Sequence, residues 1–268
     1  SALDVQDLSI SLVNERAIIP ALDALDFSVQ SGKTLALLGE SGSGKSLTAL
    51  AMMRLLPSNS YYGQHSRIHI QGEDILSINE QSMQALRGSR VAMIFQEPMT
   101  ALNPVLCIGQ QLAEAFSIPY RQQASTIKRL VDLLREVEIP DPEQCLYRYP
   151  HQLSGGQKQR IVIAMAIAQN PDVLIADEPT TALDVSIQAQ IMELLQRLQQ
   201  KHCMAMVLIT HDLSIVERYA DDVCVMYAGQ IIEKSSVDEF LHSPLHPYSQ
   251  LLLNAIPARN PSHSRLPV

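Results

Sequence analysis

The chain has 268 residues, 46% of them apolar and 18% charged, with a formal net charge of −8. That is enough sequence for one large domain or two intimate ones, in the composition range of a soluble globular protein. The acidic balance, with no block of like charges, excludes the basic stripe of a nucleic-acid surface, so no nucleic-acid partner is expected.

No basic segment followed by an apolar one opens the chain, so no signal peptide is expected. The longest clean apolar stretch of the second half, Met204 to Ile209, is far short of a membrane span. The chain is therefore expected to stay in the cytosol. It starts without Met and ends abruptly, as a piece of a longer protein would. Cys107, Cys145, Cys203 and Cys224 have no CxxC spacing and are read as free buried thiols.

Residues 3–12 and 23–30 alternate loosely and predict strands. Leu35 to Leu38 is a short apolar run, read as a buried strand. Directly after it comes Gly39-Glu40-Ser41-Gly42-Ser43-Gly44-Lys45-Ser46, and then a helical stretch, Ser46 to Leu56, stopped by Pro57. Strand, glycine-rich turn and helix in that order make a phosphate-binding loop. The glycines let several backbone N–H groups point into one concavity, and the positive end of the helix dipole adds to them. Lys45 would reach the β- and γ-phosphates of a nucleotide, and Ser46 would offer its hydroxyl to Mg²⁺.

Arg67 to Ile70 reads as a strand entering a turn at Gln71-Gly72. With the first two strands it suggests a small antiparallel sheet beside a parallel core. Val91 to Phe95 is a continuous apolar run suited to a strand buried on both faces, and Gln96 ends it. From about Glu97 to Pro150, prolines punctuate helical stretches at 108–116 and 124–138, which predicts a helical insertion. Leu153-Ser154-Gly155-Gly156-Gln157 opens a helix running to about Gln169. Ser154 suits its N-cap. Two glycines in the first turn weaken a helix, each by about 1 kcal/mol relative to Ala. They make sense if an anion must approach that helix end closely.

Val173 to Ala176 predicts another strand, ending in the carboxylates Asp177 and Glu178. Asp177 can hold Mg²⁺ through water. Glu178 can orient an attacking water or accept its proton. Ile187 to Gln199 reads as an amphipathic helix and Met206 to Ile209 as a strand, with His211 just beyond. In a parallel sheet the C-terminal strand ends line the ligand crevice. The phosphate loop, Gln96, Asp177, Glu178 and His211 are expected to converge there. Val223 to Met226 and Gln230 to Glu233 read as a hairpin, and the last 25 residues, Pro- and Ser-rich, as a linker. The pairs His65/His69 and His242/His246 are read as structural rather than metal-binding.

Together these residues resemble an ATP-binding-cassette (ABC) transport ATPase over nearly the whole length, with the motifs in family order. The resemblance makes residues 39–46 the Walker A motif, Gln96 the Q-loop glutamine and Leu153 to Gln157 the signature. It makes Val173 to Asp177 the Walker B strand, Glu178 the catalytic carboxylate, Ala182-Leu183-Asp184 the D-loop and His211 the switch histidine. Phe95-Gln96-Glu97-Pro98, Leu102-Asn103-Pro104, Tyr149 to Gln152, the run Asp177 to Ser186 and His246-Pro247-Tyr248 are similar to the oligopeptide/dipeptide importer branch. The chain most resembles the N-terminal half of fused, two-cassette ATPases of peptide importers, of the type serving microcin C-like peptides.

The resemblance implies an α/β fold: a RecA-like P-loop NTPase core with a mostly parallel sheet, a small antiparallel β subdomain and a helical subdomain. The nucleotide-binding domain would span residues 1–235, with the helical subdomain inserted at about 97–160 and a C-terminal extension over 236–268. ATP would meet residues 39–46 of one cassette and Ser154, Gly155, Gly156, Gln157 and Asp184 of the other. Mg²⁺ would be held by Ser46, Gln96 and Asp177, and Glu178, His211 and Gln96 would serve catalysis. The implied partners are a second cassette, transmembrane permease subunits and, indirectly, a periplasmic peptide-binding protein, at the cytoplasmic side of the bacterial inner membrane. Met99, Leu102 and Val105 are expected at the permease contact. The sequence departs from the family at Leu12, where an aromatic usually stacks on adenine. With no cysteine after Cys224, no iron–sulfur cluster is assigned. A cassette acting on DNA or the ribosome would bring coiled coils or basic surfaces. A P-loop kinase would leave the signature unexplained, and a non-hydrolysing cassette would not need Glu178 and His211.

Overall fold

The computed structural model describes residues 1–14, 17–96, 101–116, 124–181 and 183–254. They form two compact units, Ser1–Ile78 with Ala205–Val268, and Asn79–Met204.

In the first unit, β1 (Leu3–Val13) pairs antiparallel with β2 (Ile18–Val29), β4 (Ser60–Tyr62) and β5 (Arg67–Ile70). A short β6 (Glu73–Asp74) follows on β5. This is the expected antiparallel sheet, with β2 starting five residues earlier than its alternation suggested. Beside it β3 (Thr34–Leu38) runs between β9 (Ala205–Thr210) and β10 (Asp222–Tyr227), parallel to both. All residues of β3 and β9 are buried, which is why both read as unbroken apolar runs. β11 (Gln230–Ser236) closes the hairpin on β10.

Helix α1 (Lys45–Met52) ends earlier than Pro57. Arg54 takes a left-handed φ of 50°, and the N–H groups of Arg54 and Leu55 return to the carbonyls of Ala51 (3.0 Å) and Leu50 (2.9 Å). That is a Schellman ending with Arg in the place usually held by Gly. The Arg54 side chain compensates by donating to the carbonyls of Ile75 and Ile78.

The final segment differs from the linker expected there. After α8 (Leu213–Tyr219), α9 (Val237–His242) and α10 (Pro247–Asn254) fold onto the sheet. Phe240 and Leu253 join Ala36, Leu38, Val216, Val223, Val225 and Val237 in one buried cluster. Glu233, 7% exposed, fixes the turn into α10 by accepting the N–H groups of Leu245 and His246, each at 2.9 Å. Burial pushes its carboxyl up, but its surroundings, those two bonds among them, hold it below the usual range. Residues 255–268 lie outside the described residues.

In the second unit β7 (Val91–Ile94) and β8 (Val173–Asp177) pair in parallel, both buried throughout. A short helix that the sequence pattern did not announce, α2 (Glu80–Leu86), is capped by Asn79. Then come α3 (Ile108–Ala115), α4 (Ala124–Glu136), α5 (Pro142–Cys145) and a single 3₁₀ turn at Pro150–Gln152. Helices α6 (Gly155–Ile167) and α7 (Val185–His202) complete the unit.

Two surface expectations change here. Leu102 is 3% exposed and belongs to the core, whereas Val105 is 75% exposed. Met99, with Glu97 and Pro98, lies outside the described residues. Of the four thiols only Cys145 and Cys224 are buried. Cys203 is exposed because it takes the left-handed position that ends α7, and Cys107 is half-buried at the start of α3.

Candidate nucleotide site

The candidate residues fall into two sets, one in each unit. In the first unit the chain leaves β3 at Leu38 and turns through Gly39 to Ser46. A Cβ on Gly39 would land on the Met226 carbonyl oxygen and 2.8 Å from Ser43 Oγ. One on Gly44 would stand 2.6 Å from Leu22 Cδ2, and Gly44 has a φ of 105° besides. These two positions therefore require glycine. The hairpin between β10 and β11 backs the loop, with Gly229 N–H donating to the Ser43 carbonyl at 3.0 Å.

Gly44 caps α1 without any side-chain acceptor, so no side chain competes there for the first-turn N–H groups. Lys45 is 6% exposed, and its ammonium donates to the carbonyls of Gly39 and Glu40, both at 2.8 Å. The charge is thus stored against the loop's own main chain, where phosphate oxygens can take it over. Glu40, Ser41, Gly42 and Ser46 are exposed around it.

His211 follows β9, and Leu38 stands opposite Thr210 in the register. The loop and His211 therefore leave adjacent parallel strands at the same edge, as the sequence implied. Next to His211, Asp212 caps α8 by accepting Ser214 N–H at 2.8 Å. Tyr248 of α10 also borders the loop and packs on Tyr227 at 4.9 Å between ring centroids. Burial and then the Glu40 charge push its phenol above the usual tyrosine range. Leu12 is half-buried on β1, opposite Ile19 and Ser60.

In the second unit Ile94 stands opposite Ala176, so Gln96 and Glu178 both lie two residues past one register pair. Their side chains meet: Gln96 Nε2 donates to Glu178 Oε2 at 3.0 Å. Thr181 Oγ1 donates to the same oxygen at 2.8 Å. Glu178 has a left-handed φ of 45°, which turns the chain as it leaves β8. Asp177, the last residue of β8, is 4% exposed.

Ser154 caps α6 as expected. Its hydroxyl accepts Gln157 N–H at 3.3 Å while Gln157 Oε1 accepts Ser154 N–H at 3.0 Å, closing a capping box. Gly155 is exposed, but a Cβ on Gly156 would sit 3.0 Å from Ile187 Cγ2 of α7. Packing within the chain is thus a reason for the second glycine that the sequence argument overlooked. Asp184 caps α7 by accepting Ile187 N–H at 3.0 Å; Ala182 lies outside the described residues. Sequence reasoning also missed Thr181 as a partner of Glu178. The available signal was its spacing, three residues on, where its N–H returns to the Glu178 carbonyl at 3.1 Å in a tight turn.

The family model described as ABC transporter matches residues 22–181. The chain belongs to the ABC transporter family. The oligopeptide transport ATP-binding protein OppD of Bacillus subtilis (strain 168) is 48% identical over 256 residues, which cover 95% of this chain and 72% of that protein. The glutathione import ATP-binding protein GsiA of Escherichia coli O6:H1 is 49% identical over 263 residues, covering 95% of this chain and 42% of GsiA. Among solved structures, CbiO1 of Clostridium perfringens, part of an ABC transporter complex, matches with a TM-score of 0.76 at 28% identity. That match covers 91% of this chain and 92% of CbiO1. The α/β fold with parallel and antiparallel sheets is thus that of an ABC ATPase cassette. Among the described residues no helix is long and apolar enough to cross a membrane.

Proposed function

We propose that this cassette hydrolyses ATP to energise import of peptides across the bacterial inner membrane, working from its cytoplasmic side. The observation that carries the hydrolytic part is the Glu178 carboxylate, held at one oxygen by Gln96 and Thr181. A carboxylate oriented in this way can position an attacking water and take up its proton. The phosphate loop with Lys45 is read as binding the triphosphate, and His211, leaving the strand beside it, as the switch histidine. The peptide cargo is supported by the relatives: one is an oligopeptide transport protein, and another imports glutathione, itself a tripeptide.

Gln96 and Asp177 of the second unit each offer an oxygen ligand, as Ser46 does in the first, and oxygen ligands suit a hard cation such as Mg²⁺ that completes its shell with phosphate and water. Asp177 is buried, and a carboxylate at that depth gains from a cation. When bound, the ion would neutralise charge on the phosphate oxygens.

The second ATP-binding surface is read as Ser154, Gly155, Gly156, Gln157 and Asp184, serving the nucleotide of a second cassette, whether a separate chain or a fused half. The helical segment at about 97–160 is read as the contact for transmembrane permease subunits, which in turn receive cargo from a periplasmic peptide-binding protein. Its exposed Val105 is the best candidate contact; Leu102 is not. The deciding experiment is phosphate release with and without Mg²⁺ by the chain assembled with its second cassette and permease. Peptide-stimulated, Mg²⁺-dependent hydrolysis is expected. Hydrolysis indifferent to the permease and to every peptide would remove the transport reading.

A further inference from the structure

Gln159 sits one turn into α6 and is fully buried. Its Nε2 donates to the Pro179 carbonyl at 2.6 Å in a buried bond. Its Oε1 is also buried and has no hydrogen-bond partner. Half-satisfied burial of an amide is costly, and a leucine would fill the same volume without that cost. The amide therefore needs a reason beyond packing.

The reason lies in what Pro179 follows. Glu178, with its left-handed φ of 45°, directly precedes it. A sparsely populated backbone conformation persists only where its surroundings over-determine it. Gln96 and Thr181 hold the Glu178 carboxylate from the side-chain end. Gln159 holds the main chain just behind it. One turn before Gln159, α6 begins at Ser154 and the exposed Gly155. A helix moves as a rigid rod over one turn, so a shift at Gly155 is carried to Gln159 and on to the Pro179 carbonyl.

We propose that Gln159 is a positioning residue that couples the start of α6 to the Glu178 turn. This rests on the reading above, in which the start of α6 meets the nucleotide of the second cassette while Glu178 works on its own cassette's nucleotide. Gln159 then lets occupancy of one ATP site set the geometry of the carboxylate in the other. Every residue of the link lies in the second unit, Asn79–Met204.

The test uses the full chain assembled with its second cassette, with ATP and Mg²⁺, in wild-type, Gln159→Leu, Gln159→Glu and Glu178→Gln forms. Gln159→Leu should bind ATP within about twofold of wild type, lose about tenfold in kcat, and drop the Hill coefficient for ATP toward one. Gln159→Glu keeps the shape but can donate to Pro179 only when protonated, and burial favours that neutral form. Its rate as a fraction of the wild-type rate at the same pH should approach one near about pH 6 and fall away by about pH 8.

A Gln159→Leu form with wild-type kcat and Hill coefficient overturns the proposal. So does equal, pH-independent loss in both Gln159 variants, which marks a packing role. If Gln159→Leu melts below assay temperature, the pH profile of Gln159→Glu decides alone. Wild-type hydrolysis no faster than that of Glu178→Gln removes the functional reading itself, a result distinct from unaffected Gln159 variants.

Discussion

The phosphate loop and the Glu178 turn both follow a buried parallel strand, yet they are held by opposite means. The loop is held at its main-chain carbonyls: those of Gly39 and Glu40 accept the loop's own Lys45 ammonium, and that of Ser43 accepts Gly229 N–H. The Glu178 turn is held by side chains, Gln96 and Gln159 from elsewhere in the sequence and Thr181 from three residues on. A site held at its main chain tolerates almost any neighbour but not a Cβ where the backbone packs closely, as at Gly39. A side-chain site tolerates bulk but loses its geometry with each deleted donor.

The largest expected effects separate the two regions by what they do to ATP. Glu178→Gln keeps the shape and removes the base, so kcat should fall about 100-fold or more while ATP affinity is kept. The same variant should accumulate a closed, ATP-bound pair of cassettes, visible by size-exclusion chromatography. Turnover near normal would take Glu178 out of the catalytic role. Lys45→Ala removes a charge from the phosphates and should weaken ATP binding by about 10- to 100-fold, read by equilibrium dialysis. Unchanged affinity would refute the loop assignment.

A pair of alanines tests the main-chain half. The Cβ of Gly39→Ala falls on the Met226 carbonyl oxygen, part of a strand that cannot rotate away. That overpacking should destabilise the protein by about 1–3 kcal/mol and lower its melting temperature. Gly42→Ala has no heavy atom within 4 Å of its Cβ and meets only the strain of its φ of 82°. It should cost about 1 kcal/mol. Equal melting temperatures for the two would mean that the loop yields around Gly39.

The same contrast explains what the sequence disclosed. Glycine turns are written locally, as glycine spacing between an apolar strand and a helix, so the strand, the turn at residues 39–46 and the start of the helix were legible. So were β3, β7, β8 and β9, whose double burial leaves an unbroken apolar run, and the N-cap at Ser154. Partnerships such as Gln159 with Pro179 are not written locally, because the fold supplies the second member. The end of α1 was misplaced because Arg54 adopts the conformation usually left to glycine, held by carbonyls more than twenty residues away. The last segment looked like a linker because its Pro and Ser residues outweigh the few apolar positions of α9 and α10. Leu102 was expected at a partner surface with Met99 and Val105, while its side chain is in fact buried.

A smaller effect probes the side-chain half. Thr181→Val keeps the volume and deletes one of the donors to Glu178 Oε2. It should lower kcat about fivefold with little change in ATP affinity. Gln96→Leu removes the other donor that meets this oxygen, and the double variant should lose less or more than the product of the single losses, since both act on one atom. Strict multiplicativity would show that the two donors work independently, and that the turn is less of a unit than its geometry suggests.

The smallest effect is the one able to break the contrast. Tyr248 reaches the phosphate loop from α10, beside Glu40, the residue whose carbonyl receives Lys45. If the loop is held by its main chain, Tyr248→Phe should shift ATP affinity by less than about twofold. The ring and its packing on Tyr227 survive, and only a hydroxyl beside an exposed carboxylate is lost. Should Tyr248→Phe instead weaken ATP binding as much as Thr181→Val lowers kcat, the loop depends on a side chain from the far end of the chain after all. The two regions would then differ in the number of their supports rather than in kind. Repeating the measurement with Glu40→Gln separates the causes: an effect of Tyr248→Phe that vanishes in that background runs through the Glu40 charge, and one that persists runs through the packing of α10.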